Sequence, residues 1–206
     1  MTKTITKTPP SLVGFEFPDL SHYEPQIDFH AMKSGGIPLF ITKATQGDWF
    51  TDNTFIDFYK RGKSVGLTVG AYVYLENGLI APQVNRFVTV ANLKPGDLQP
   101  VIDMEAPGLT KRDCLEAIDV FRSHGFKPIA YCNLSFWRDV MGSHIDAPLW
   151  LAAYRSNRPV TPAAQELFAW QFTDQGLCYG VAKPCDMSRF YGTLDDLKRY
   201  TVEDKS

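Results

Sequence analysis

The sequence lacks the features of several large classes of protein. Its 206 residues contain no apolar run that approaches the roughly 20 residues of a membrane span, so we expect no membrane insertion. Lys and Arg number 21 against 23 Asp and Glu, and nothing resembles the basic footprint of a nucleic-acid-binding protein. The opening stretch MTKTITKTPPS has no apolar segment of the kind found in secretory signals. We therefore expect synthesis in the cytoplasm and, if the protein is exported, another route.

Cysteine and histidine are scarce and scattered. The 4 Cys form no C-x-x-C pair, and none of the 4 His lies at zinc-ligand spacing from them, so we expect no metal site. Free thiols are the ordinary state of such cysteines. Cys178 and Cys185 are near enough in sequence to close a small disulfide loop, and the spacing leaves both states open.

The composition is that of an ordinary globular protein. Hydrophobic residues make up 44% of the chain and aromatic residues 13%, which is enough to build a packed core. The length suits one sizeable domain, and no linker or low-complexity stretch divides it. We expect a flexible arm over residues 1–12 and a single domain over residues 13–206.

Strand-like and helix-like segments alternate along the chain. The predicted strands cover 38–45, 67–75, 99–105, 126–132, 148–154 and 167–174. The predicted helices cover 52–66, 80–93, 110–125, 135–142 and 192–200. Thr110 and Gly125 are suitable start and stop residues for the clearest of these helices. The alternation predicts an α/β fold with a parallel sheet, and in a β/α barrel the active site lies at the carboxyl ends of the strands.

The stretch QPVIDMEAP ends an apolar strand with two acids, Asp103 and Glu105. Residues i and i+2 of a strand point to the same face, so these carboxyl groups should project together, with Met104 on the other side. Two carboxylates close together among apolar walls do not both ionise freely, and a carboxylic acid kept protonated can act as a general acid. By itself the D-x-E spacing is weak evidence for catalysis, because it occurs often by chance and more commonly marks a solvated strand end or a divalent-cation site.

The wider pattern is more specific than this pair. A series of motifs, in a fixed order, resembles glycoside hydrolase family 25, the muramidases called lysozymes of the Chalaropsis type. The resemblance covers roughly residues 14–200 and is carried by FPDLSHYEPQIDF, FITKATQGDWFTDNTF, GLTVGAYVY, PVIDME, KPIAYCN, PLWLAAY, WQFTDQG and CDMSRFYG. It implies a single irregular, flattened TIM-like β/α barrel that needs no cofactor. It also implies hydrolysis of the β-1,4 bond between N-acetylmuramic acid and N-acetylglucosamine.

The resemblance assigns the catalytic acids residue by residue. Glu105 corresponds to the general acid/base, and Asp103 to the residue that assists the substrate's own N-acetyl group. Asp19 and Asp186 correspond to acids that position the sugar and tune Glu105. All of these positions are acidic here.

The same motifs contain residues suited to binding sugar. We expect Tyr72, Tyr131, Tyr154 and Gln171 in the groove, although core packing is an open alternative for any single aromatic residue. Lys43 is expected to pair with an acid near the site.

The expected partner is bacterial cell-wall peptidoglycan, bound by a monomer. Without a signal sequence, the protein would act on the wall or in the periplasm as a phage endolysin or as an exported bacteriolytic effector. One alternative is a non-catalytic barrel that binds peptidoglycan. Another is a chitinase-like hydrolase, although the D-x-x-D-x-D-x-E series of that scaffold is absent from GDLQPVIDME.

Overall fold

A computed structural model describes residues 14–142, 144–162 and 164–204. The predicted arm over residues 1–12 lies outside the described residues. Within them, no helix is both long and apolar enough to cross a membrane.

The chain alternates strands with helices as the sequence predicted. The strands are β1 (Phe15–Leu20), β2 (Leu39–Gln46), β3 (Phe50–Thr51), β4 (Thr68–Tyr74), β5 (Val101–Asp103), β6 (Ile129–Asn133), β7 (Leu149–Ala152), β8 (Leu167–Gly176) and β9 (Cys185–Phe190). The helices are α1 (Phe29–Ser34), α2 (Phe55–Ser64), α3 (Ile80–Ala91), α4 (Lys111–Ser123), α5 (Leu134–Phe136) and α6 (Leu194–Leu197).

Eight of these strands close into a barrel. The order around it is β1-β2-β4-β5-β6-β7-β8-β9, and β9 returns to pair with β1. The short β3 pairs with the end of β2 and stands outside the ring. Within the ring, β1, β2 and β4 to β8 run parallel, whereas β9 is antiparallel to both of its neighbours. The predicted irregular TIM-like β/α barrel is therefore confirmed.

The helices begin and end largely where the sequence indicates. Thr110 caps α4 in a reciprocal capping box with Asp113, and Gly125 follows the helix at φ 82°. The predicted helix over 135–142 is instead the single turn α5, which continues as a π-helical segment over Trp137–Met141. Helix α1 was not predicted, because its six residues offer too few turns for a periodic pattern.

A layer of large side chains fills the barrel interior. Residues from strands on opposite sides of the ring meet there, among them Phe17, Ile41, Val101 and Trp150. The Trp150 ring is almost fully buried, and its Nε1 donates to Ser188 Oγ at 2.8 Å, so its one polar atom is satisfied. The barrel is thus a packed core, and the open space lies at its end.

Candidate active site

A cleft of about 230 Å³ opens at the carboxyl ends of the parallel strands. Asp19 lies near the end of β1, and Asp103 is the last residue of β5. Asp186 is the second residue of β9, yet it reaches the same end because β9 runs in the opposite direction. All three line the cleft together with Glu105. The four acids that the sequence pointed to are therefore brought together.

Asp103 and Glu105 share the cleft although the strand ends between them. Residue 103 closes β5, and Glu105 follows in irregular backbone while its N–H donates to Asp103 Oδ1 at 3.4 Å. Met104 is fully buried in the layer between barrel and helices, on the opposite side from the two acids. The predicted division into a polar and an apolar face thus holds at this position.

Burial raises the pKa of both carboxyl groups of this pair. It raises the pKa of Asp103 well above its ordinary value, and the charge of Glu105 adds to that effect. Burial also raises the pKa of Glu105, against a hydrogen bond from Asn133 that lowers it. Because the two groups interact, they titrate as a pair that holds a proton to higher pH than either would alone.

Asp19 and Asp186 form a second carboxyl pair. They are direct neighbours across the β1–β9 ladder. Burial raises the pKa of Asp19 well above its ordinary value, and the charge of Asp186 raises it further. Burial also raises the pKa of Asp186 to about 6, with the charges of Glu24 and Asp174 contributing and a hydrogen bond with Asp19 opposing. A proton shared between these two acids relieves their repulsion.

Gln171 forms a hydrogen bond with Asp19 from beneath the cleft surface. Its Nε2 donates to Asp19 Oδ2 at 3.0 Å, and its Oε1 accepts from the hydroxyls of Tyr131 at 3.0 Å and Tyr154 at 2.9 Å. Only 1% of Gln171 is exposed, so the amide lies beneath the cleft surface. Two hydroxyl donors on the oxygen direct the amide nitrogen toward the acid. Gln171 is thus placed to position Asp19 rather than to touch a ligand.

The predicted groove tyrosines take different positions. Tyr72 and Tyr131 line the cleft, and Tyr131 is nearly buried against Trp150 with ring centroids 4.7 Å apart. Tyr154 is 56% exposed and stands outside the cleft lining, joined to it through Gln171.

Lys43 lines the cleft, and within the described part of the chain no acid contacts it directly. Its Nζ donates to Gln46 Oε1 at 2.6 Å and lies 5.0 Å from the centre of the Tyr74 ring. Among the described residues it forms no ion pair, so the predicted pairing is wrong. Burial lowers the pKa of Lys43, and the charges of Asp103 and Asp52 oppose that shift. The lysine therefore acts on the acids through space.

Sequence reasoning missed three residues of the site. Asn133 caps α5 by accepting from Phe136 N at 2.9 Å, which leaves its amide nitrogen to donate to Glu105. Glu24 and Tyr23 line the cleft from the loop after β1, and Glu24 accepts from Ser21 N at 3.1 Å. The signal for Asn133 was its place at the end of a predicted strand, whereas Glu24 and Tyr23 lie in a loop without a periodic pattern.

All four cysteines are free, buried thiols, Cys178 and Cys185 included. Among the described residues, no group of three or more His, Cys, Asp or Glu side chains is arranged to hold a metal ion.

The raised pKa of Asp186 has a consequence for stability. A carboxyl group with a folded-state pKa of about 6 and an ordinary pKa of 3.8 destabilises the fold once it ionises, so stability falls as pH rises through 6. Asp186→Asn is expected to raise the free energy of unfolding by about 1 to 3 kcal/mol near pH 8. Below pH 3.8, where the group is protonated in both states, the gain should vanish. Urea denaturation at both pH values measures the difference.

Asp119→Asn on α4 is the matched control, because the Asp119 side chain is 77% exposed. It should change stability little at either pH. Equal stability of wild type and Asp186→Asn near pH 8 would contradict a buried, costly charge at this position.

A barrel whose cleft collects paired, partly protonated carboxyl groups is the kind of site that glycoside hydrolases use. The family model for "Glycosyl hydrolases family 25" matches residues 18–181. The chain belongs to glycoside hydrolase family 25. This membership argues against the chitinase-like alternative.

Individual relatives agree with this assignment. The chain is 28% identical to the "Autolytic lysozyme" of Clostridium acetobutylicum over 178 residues, which is 84% of this chain and 54% of that protein. It therefore spans about half the length of that relative. Its fold matches the bacterial lysozyme of Streptomyces coelicolor with a TM-score of 0.83 at 23% identity, covering 93% of this chain and 98% of that one. The muramidase from Trichobolus zukalii matches with a TM-score of 0.81 at 25% identity, covering 90% and 98%.

Proposed function

We propose that this protein hydrolyses the β-1,4 bond between N-acetylmuramic acid and N-acetylglucosamine in bacterial peptidoglycan. The observation that carries the proposal is the pair of buried Asp103 and half-buried Glu105 at the end of β5, in one cleft with Asp19 and Asp186. Membership of family 25 and relatives described as lysozyme and muramidase support the substrate class.

In the first step, Glu105 acts as the general acid. Its raised pKa keeps a proton available, which passes to the glycosidic oxygen as the bond to the anomeric carbon breaks. The carbonyl oxygen of the substrate's own acetamido group attacks the anomeric carbon and forms an oxazolinium ion. This is the substrate-assisted variant of glycoside hydrolysis.

Asp103 positions the acetamido group during this step. As a carboxylate it accepts a hydrogen bond from the acetamido N–H, orients the carbonyl oxygen and stabilises the positive charge of the ring that forms. Burial and the charge of Glu105 raise the pKa of Asp103, and the nearby Lys43 charge acts in the opposite direction. In this step the shared proton of the pair is on Glu105, which leaves Asp103 as the carboxylate. Asp103 is buried and is the ladder partner of Tyr131 across β5 and β6, which fixes its position at the cleft.

In the second step, water opens the oxazolinium ion. Glu105, now a carboxylate, accepts a proton from the water, whose oxygen bonds to the anomeric carbon as the carbonyl oxygen leaves. Two displacements at one carbon return the original configuration. Asp19 and Asp186 hold the sugar beside this pair, and Gln171 fixes the orientation of Asp19.

The setting follows from the substrate. Peptidoglycan lies outside the cytoplasmic membrane, so a monomer of this protein would meet it after release by a phage holin or after export by a dedicated route. Expression in a bacterial host without a holin tests the two routes: protein retained inside intact cells would favour release by a holin, whereas protein recovered outside intact cells would favour export.

Product analysis tests the proposal. Wild-type protein incubated with purified peptidoglycan should release fragments with N-acetylmuramic acid at the new reducing ends, identified by mass spectrometry after borohydride reduction. Proton NMR during the first minutes should show the β-anomer first, because configuration is retained. N-acetylglucosamine ends would make the protein a glucosaminidase. No release from walls of several chemotypes would favour the non-catalytic binding barrel.

A further inference from the structure

A row of four rings runs from the cleft onto the neighbouring hairpin. The ring centroids of Tyr23 and His22 are 4.2 Å apart, those of His22 and Phe50 are 5.8 Å apart, and those of Phe50 and Trp49 are 5.5 Å apart. Tyr23 lines the cleft at one end of this aromatic row, and Trp49 in the β2–β3 turn forms the other end. The row is thus continuous with the cleft.

Both ends of the aromatic row are exposed. Tyr23 is 67% exposed and Trp49 is 63% exposed, although aromatic rings of this size are usually covered. Two rings separated by two others give a ligand an extended surface to lie on, rather than a single pocket.

Hydrogen bonds hold Trp49 in a fixed orientation. Its Nε1 donates to Glu76 Oε2 at 2.9 Å, and the other oxygen of Glu76 accepts from Gln46 Nε2 at 2.7 Å. Gln46 in turn accepts from Lys43 in the cleft at 2.6 Å. Gly47 makes this arrangement possible, because a Cβ at that position would lie 2.6 Å from Glu76 Oε2 and 2.9 Å from the Trp49 ring.

The other end of the row is anchored as well. The buried carboxylate of Asp52 accepts from His22 Nδ1 at 2.7 Å and from His22 N at 3.2 Å. Burial raises the pKa of Asp52, but hydrogen bonds from Thr54 and His22 outweigh this and leave the pKa below its ordinary value. The acceptor is therefore ionised and holds His22, with Tyr23 stacked on it. A surface fixed at both ends loses little entropy when it binds.

We propose that the aromatic row binds the glycan strand beyond the cleaved bond, and that Trp49 makes the protein prefer long strands over short oligomers. This inference rests on the proposed function. Flat rings stack on the C–H faces of sugars, while Glu76 and the hairpin backbone offer hydrogen-bond acceptors to hydroxyl groups. Continuity with the cleft selects the same polysaccharide, rather than a protein, as the occupant.

The test compares two substrates, a peptidoglycan tetrasaccharide and long glycan strands freed of peptide. Trp49→Ala is expected to raise KM for the long strands by about three- to tenfold, because one stacking contact is lost. Its kcat/KM for the tetrasaccharide should stay within about twofold of wild type. Trp49→Phe, which keeps a ring but loses the bond to Glu76, should fall between. Tyr179→Ala is the control, because it removes a similarly exposed ring (69%) that lies against Gly35 and is not part of the aromatic row.

An equal loss of kcat/KM on both substrates would mean that Trp49 acts on the cleft through Lys43, and it would overturn the proposal. An unchanged kcat/KM on both substrates would overturn it as well. Binding separates this result from failure of the proposed function. The Glu105→Gln variant should bind long strands about three- to tenfold more tightly than the Glu105→Gln/Trp49→Ala double variant, because only the double variant lacks the stacking contact. This difference in affinity does not depend on cleavage. Equal affinities would overturn the row as a binding surface even if wild type proves to be a muramidase.

Discussion

Glu105→Gln should lower kcat on peptidoglycan by about 10² to 10⁴-fold, the usual contribution of a general acid. Glutamine keeps the shape of the side chain and its contact with Asn133 but has no proton to give to the glycosidic oxygen. Affinity for glycan should change little, because the cleft walls are untouched. Release of new reducing ends from labelled peptidoglycan, with a parallel pull-down of the variant by insoluble wall, measures both quantities.

The matched control for Glu105→Gln is Glu116→Gln. Glu116 lies on the exposed face of α4, so the same change of charge there should leave kcat unaltered. If Glu105→Gln hydrolysed peptidoglycan at the wild-type rate, the general acid would have to be another carboxyl group, and Asp103 would be the first to test.

Asp103→Asn should lower kcat by about 10² to 10³-fold, the scale on which one charge-stabilising group acts in an active site. The amide oxygen of the variant is only a neutral, weaker acceptor for the acetamido N–H, and it carries no charge to stabilise the oxazolinium ion. The variant should nevertheless unfold at a higher urea concentration than wild type at neutral pH, because burial and the charge of Glu105 make the ionised Asp103 costly.

Lost activity combined with gained stability distinguishes a chemical role of Asp103 from a structural one. A destabilised Asp103→Asn protein would instead indicate that the carboxylate holds the end of β5 in place. Unchanged activity would rule out assistance by Asp103 and favour direct attack by water.

The sequence predicts most of the barrel because its strands and helices alternate in clear blocks. Strands β2, β4 and β8 and helices α3 and α4 fall within a few residues of their predicted bounds, since apolar periodicity and the Thr110 cap are local signals. The direction of β9 is not a local property. It depends on pairing with β1, about 170 residues earlier in the chain, and no periodic pattern encodes such a partner.

The candidate site divides in the same way. Asp103 and Glu105 are separated only by Met104, so strand alternation predicts that they project together, and they do so although β5 ends at Asp103. The bond from Gln171 to Asp19 and the ring row from Tyr23 to Trp49 join segments that only the closed barrel brings together. Among the described residues the expected Lys43 ion pair is absent, and the ammonium group donates instead to Gln46, three residues away.

The antiparallel β9 also sets the order of events during synthesis. Until residues 185–190 leave the ribosome, β1 and β8 each keep an unpaired edge, and the barrel is an open sheet. Asp19 then lacks Asp186 across the ladder, so the cleft has only part of its acids. Contacts of such high sequence separation form late and slowly. Residues 185–190 therefore complete the barrel and the set of acids in the candidate site in the same step.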